Sequence, residues 1–102
     1  MNIFHNKYMK PFKRRVNNKL RGMFGETDYE KRTIEINKKQ HKRARSLAGL
    51  PKKDRSLLNT IVHEETHAAH PRMHERAVRK TTRKRVTRMP RKEKNKMYAR
   101  YV

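Results

Sequence analysis

His63-Glu64-Glu65-Thr66-His67 places two imidazoles and two carboxylates within five residues, in the pattern H-E-x-x-H. Residues four apart share one face of a helix, so His63 and His67 can turn their rings onto a single metal ion, and zinc accepts imidazole nitrogen readily. Glu64 would then stand beside a water at that ion. A carboxylate in that place can take the water's proton and pass it to a leaving amine, which is the chemistry of peptide-bond hydrolysis.

The pattern works only on a helix that packs one face and opens the other to a cleft. Leu57, Leu58, Ile61 and Val62 form an apolar stripe that Ala68 and Ala69 continue at helical spacing. At roughly 100° per residue, both histidines fall nearly opposite the centre of that stripe. Asp54 or Ser56 can cap the start, and Pro71 biases His70 away from helical geometry, so the helix should stop near Ala69 or His70. A second helix is expected from about His74, returning a first-turn side chain toward the histidines while Ala77, Val78 and Met73 pack on the first helix. Glu65 lies within the stripe, where it requires a basic partner or an opening to water.

The chain has no cysteine, which excludes a disulfide framework and a thiolate metal site and leaves histidine and carboxylate as ligands. His70 belongs to the same helix as His63 and would lie about 10 Å along its axis, too far for three rings to meet one ion. The third ligand should therefore come from beyond Pro71. His74 and Glu75 both satisfy that condition, and chemistry alone leaves both open.

The elements that must hold this site come from a short, highly charged chain. Its 102 residues carry 30 Lys+Arg against 9 Asp+Glu, a net charge of +21, with 32% hydrophobic residues. That composition allows one small domain and favours disorder outside it, so a bound zinc ion would add usefully to folding free energy. Pro11, Phe12, Val16, Leu20 and Gly22 read as a short basic amphipathic helix, with a disordered basic arm as the alternative. Residues 23–27 and 32–37 flank a turn and read as a β-hairpin with Ile34 and Ile36 facing the core. The second strand, lying beside the cleft, could pair with an extended peptide. Residues 38–50 are basic and helical in part, ending at Gly49-Leu50-Pro51.

The run His63-Glu64-Glu65-Thr66-His67-Ala68-Ala69-His70-Pro71-Arg72-Met73-His74-Glu75-Arg76-Ala77-Val78 resembles the core of the minimal zincin-like metallopeptidases common in phage and bacterial genomes. Their pattern is H-E-x-x-H, a proline four residues on, then an acid followed by x-x-Val. The resemblance covers about sixteen residues closely, and Thr33 to Asn37 more loosely. It implies a gluzincin arrangement with His63, His67 and Glu75 as zinc ligands and Glu64 as general base. Glu65 departs from the aliphatic residue usual in that family. The SprT-like group, which includes proteases acting on DNA-bound proteins, uses a histidine as third ligand, and that role would fall to His74.

Residues 79–102 hold 11 Lys+Arg and a single acid, Glu93, with Pro90 interrupting the run. Arg79, Lys80, Arg83, Lys84, Arg85, Arg88, Arg91 and Lys92 are candidate phosphate contacts for nonspecific nucleic-acid binding, and Tyr98 and Tyr101 could stack on bases. The expected organisation is an N-terminal arm (1–10), an α+β minimal zincin-like domain (11–88) with a hairpin packed on a metal helix and a following helix, and a basic flexible tail (89–102). The expected function is zinc-dependent peptide hydrolysis. The alternative is a basic nucleic-acid-binding protein with a structural or vestigial zinc site. Met1 to Lys7 lack the long apolar run of a signal peptide, and no stretch is long enough to span a membrane, so an intracellular protein is expected, in host cytoplasm if the chain is viral.

Overall fold

The computed structural model describes residues 11–20, 22–44 and 56–102, which form an α+β arrangement of one three-stranded sheet and four helices. The expected arm at 1–10, the capping candidate Asp54 and the break at Gly49-Leu50-Pro51 lie outside these residues. Strands β1 (Lys13–Val16), β2 (Gly25–Asp28) and β3 (Thr33–Ile36) are ordered β1-β3-β2. β3 is central, parallel to β1 and antiparallel to β2. Asp28 shapes the hairpin turn, its Oδ1 accepting from the amides of Glu30 at 3.0 Å and Lys31 at 2.9 Å.

β1 replaces the amphipathic helix expected from Pro11 onward. Apolar residues four apart satisfy a period of two as well as a helical one, so Phe12 and Val16 share a face with Arg14 between them. Arg14 turns inward because Glu65 waits there, and an inward arginine hides the strand's alternation. The expected hairpin does form, but its second strand is central, so the edge beside the cleft belongs to β2.

Helix α1 (Lys38–Ala44) is capped by Asn37, whose Oδ1 accepts from the Gln40 amide at 2.9 Å and whose Nδ2 donates to the Leu20 carbonyl at 2.6 Å. Helix α2 (Leu57–Ala69) starts at Ser56, whose side chain accepts from the Asn59 amide at 3.0 Å, and ends at His70. Its buried face is wider than the apolar stripe, since Thr60, Glu65 and Thr66 are buried with Leu58, Ile61 and Val62. Helix α3 (Glu75–Arg88) begins after the Pro71 turn and buries Val78, whereas Ala77, expected to pack, is exposed. Helix α4 (Arg91–Ala99) follows Pro90.

α4 corrects the expectation of a flexible tail. Met89, Met97 and Tyr101 join Ile34, Ile36, Leu58, Ile61 and Val62 in one buried cluster, so the domain runs through Tyr101. Each such side chain contributes about 1.5–3 kcal/mol by leaving water, which outweighs the charge density around it. Tyr101 is 0% exposed and is removed as a base-stacking candidate; Tyr98 stays exposed. No helix among the described residues is long and apolar enough to cross a membrane.

Candidate metal centre

The Ser56 cap sets the phase of α2, and the core stripe fixes its rotation, so His63, Glu64 and His67 face away from the sheet's apolar side. The two imidazoles lie edge to face with ring centroids 4.8 Å apart, and their Nε2 atoms are 3.2 Å apart. Pro71 then ends the helix, and the chain returns so that the first residue of α3 meets the rings. Glu75 Oε1 is 2.8 Å from His63 Nε2, and Glu75 Oε2 is 2.8 Å from His67 Nε2.

These three residues can each offer one ligand atom within 4.8 Å of the others. Ligands held about 2.0–2.1 Å from a tetrahedral zinc ion sit roughly 3.3 Å from one another, so the imidazole pair already has a fitting separation. Glu75 needs only to draw back a few tenths of an ångström. Two nitrogens and one carboxylate also leave a fourth position open, as catalytic zinc sites do. His74 is instead the exposed N-cap of α3 with no side-chain capping bond, and His70 is the exposed C-cap of α2. Neither belongs to the cluster.

Glu64 is held by β2. Thr27 Oγ1 lies 2.8 Å from Glu64 Oε1 and 3.1 Å from the Glu64 carbonyl, so its hydroxyl can fix the carboxylate's position. Burial pushes the Glu64 carboxyl above its ordinary range, with the Thr27 hydrogen bond and the nearby histidines pulling the other way. Gly25 makes this approach possible: a Cβ there would lie 2.9 Å from Thr60 Cγ2 and 3.1 Å from Glu64 Cγ. Tyr29 donates to the His67 carbonyl at 2.9 Å, tying the hairpin turn to the end of α2.

Glu65 points to the opposite side of α2. Arg14 grips it with Nε on Oε2 and Nη2 on Oε1, the latter at 2.8 Å, while the Tyr101 hydroxyl donates to Oε2 at 2.7 Å. Arg100 Nη1 is 3.4 Å from Oε1. Burial alone would raise the Glu65 carboxyl, but the bonds from Arg14 and Tyr101 outweigh it and hold the group below its ordinary range. The departure from the aliphatic pattern is thereby satisfied as a buried ionic cluster joining β1, α2 and the C-terminal end.

A cleft of about 410 Å³ opens beside the cluster. His63, Glu64 and Glu75 line it together with Arg79 and Arg83. Of the basic residues expected to touch phosphate, Arg79, Lys80, Arg83, Lys84, Arg88, Arg91 and Lys92 are exposed and Arg85 is half-buried. Thr27 and Gly25 carried no role in the sequence pattern. A threonine or a glycine in a strand signals nothing by itself, and their roles arise only where β2 meets α2. Compared with protein-family models, curated proteins and solved structures, the chain matches none.

Proposed function

We propose that this protein is a zinc-dependent peptidase. The observation that carries the reading is the convergence of His63, His67 and Glu75 at one edge of a cleft that Glu64 also lines. Zinc held by those three side chains would supply Lewis acidity, polarising a scissile carbonyl and lowering the pKa of a water toward about 7. Glu64 accepts a proton from the attacking water and returns it to the leaving amine. The Thr27 hydroxyl keeps Oε1 in place while Oε2 works. The free edge of β2 offers backbone donors and acceptors to an extended substrate strand. In the test, Glu64→Gln retains zinc and fold while peptide hydrolysis falls by about 10²–10⁴-fold. Cleavage at the normal rate in that variant sinks the enzyme reading.

A second reading, nonspecific contact with phosphate backbones, draws on the exposed arginines and lysines of α3 and the start of α4. Lys80→Gln/Lys84→Gln/Arg88→Gln then weakens DNA binding and makes the log-log salt slope shallower, by up to about three units for three lost phosphate contacts. An unchanged slope places any contact elsewhere.

A further inference from the structure

Glu75, Arg79 and Arg83 follow one another at four-residue spacing, on one face of α3, and all three line the cleft. At 1.5 Å of rise per residue, Arg79 stands about 6 Å and Arg83 about 12 Å beyond Glu75 along the helix. Across from them, Asn59 and Thr60 lie one turn before His63 on α2, and Met23 and Phe24 lead into β2. Carboxylates and imidazoles occupy one end of the cleft, the Arg79 guanidinium borders them beside Glu75, and Arg83 lies a further turn along the helix. Arg79 is 67% exposed, and its Nε is 3.7 Å from Glu75 Oε1, too long for a strong hydrogen bond. Its planar fork keeps donors for another anion.

We infer that the cleft selects peptides carrying a carboxylate two to four residues to one side of the scissile bond, with Arg79 and Arg83 as the residues that bind it. The inference rests on the peptidase reading and names its substrate class. An extended peptide advances about 3.3 Å per residue, so a group within about two residues of the scissile bond reaches Arg79, whose guanidinium borders Glu75, and one about four residues away reaches Arg83. A carboxylate on the other side gains no such partner, and one at the bond itself would face Glu64 and Glu75. Guanidinium takes a carboxylate through two parallel hydrogen bonds, which gives the site direction as well as charge. Met23, 40% exposed, offers apolar surface on the facing wall for the rest of the substrate. An Asp or Glu side chain and a free C-terminal carboxylate share this chemistry.

The test measures binding of fluorescent peptides to zinc-loaded Glu64→Gln protein, which separates recognition from turnover. The peptides differ only in one carboxylate: Asp or Asn at each position in turn, and a free or amidated C terminus. The expected result is a roughly three- to tenfold preference for the carboxylate at one or two adjacent positions. That preference drops below about twofold in Arg79→Gln/Arg83→Gln, yet persists in Lys92→Gln/Lys96→Gln, which removes equal charge on α4 outside the cleft. Dependence on Asp points to a side chain, and dependence on the free terminus to a C-terminal carboxylate. Equal gain at every position, or a preference that survives loss of both arginines, overturns the proposal. Wild-type protein hydrolysing peptides without positional preference would sink this inference alone, whereas positional binding with no hydrolysis would sink the peptidase reading alone.

Discussion

Replacing Arg14 by methionine keeps most of the side chain's apolar stem and removes the guanidinium that Glu65 depends on. Glu65 is 8% exposed, and Arg14 supplies both of its direct cationic hydrogen bonds. Stripping one partner from a fully buried ion pair costs about 3–5 kcal/mol. Arg14 is 29% exposed, and the Tyr101 hydroxyl and Arg100 remain, so the expected loss is smaller, about 2 kcal/mol. For a domain of this size that corresponds to roughly 8–16 °C in Tm. The pH dependence supplies the sharper signature. In the parent, the carboxyl is lowered from 4.5, so its contribution is complete above that value and disappears as pH falls through the folded pKa. In Arg14→Met the burial that raises the pKa is left with less opposition, and the penalty for a charged Glu65 grows at neutral pH. The gap between the two proteins should therefore be widest near neutrality and shrink as pH falls from the variant's higher folded pKa toward the parent's lower one, since the unfolded value is common to both. Chemical denaturation at fixed zinc concentration from pH 7 down to about 4 measures it. Adding Glu65→Gln, which removes the stranded charge but keeps an acceptor for Tyr101, should recover about 1 kcal/mol of the loss. A change under about 0.5 kcal/mol at pH 7, or a gap independent of pH, would refute the ionic account of this cluster.

Gly25→Ala should lower stability by about 1–3 kcal/mol through overpacking, and should depress turnover further because the new methyl group meets Glu64 and Thr60. Gly22→Ala is its control: none of the described residues lies within 4 Å of the added Cβ, but φ is +64°, so about 1 kcal/mol of stability goes while turnover stays. Equal turnover in both variants would separate β2 from the catalytic geometry. Thr82, 0% exposed, has a hydroxyl with no hydrogen-bond partner among the described residues. Thr82→Val should accordingly be neutral or up to about 1 kcal/mol more stable by thermal unfolding, and a loss of that size would show that the hydroxyl is bonded.

The helix carrying H-E-x-x-H was legible because a motif and an apolar stripe agreed on one periodicity, and Pro71 announced its end. The hairpin was legible for the same reason at period two, through Ile34 and Ile36. β1 was not, since its inward residue is Arg14 and its justification lies 51 positions away at Glu65. The C-terminal helix was hidden by charge: Met89, Met97 and Tyr101 are widely spaced core residues in a basic stretch, and composition dominates when the apolar positions are so sparse. The chemistry of the residues left His74 and Glu75 both open, the resemblance favoured Glu75, and the fold brings Glu75 to the two rings. Adjacent residues at a helix start point in different directions, and nothing in their chemistry says which one faces the rings. Point substitutions test nucleic-acid contact more cleanly than deletion of residues 79–102 would, because that segment holds part of the core.

Everything proposed for the site depends on His63, His67 and Glu75 binding one zinc ion. Competition titration of zinc into metal-free protein, run side by side with Glu75→Ala, His74→Ala and His70→Ala, tests it most directly. The expected result is one zinc per chain, an affinity loss of at least about tenfold for Glu75→Ala, and near-parental affinity for the other two. No stoichiometric zinc in the parent, or a loss confined to His74→Ala, would contradict it.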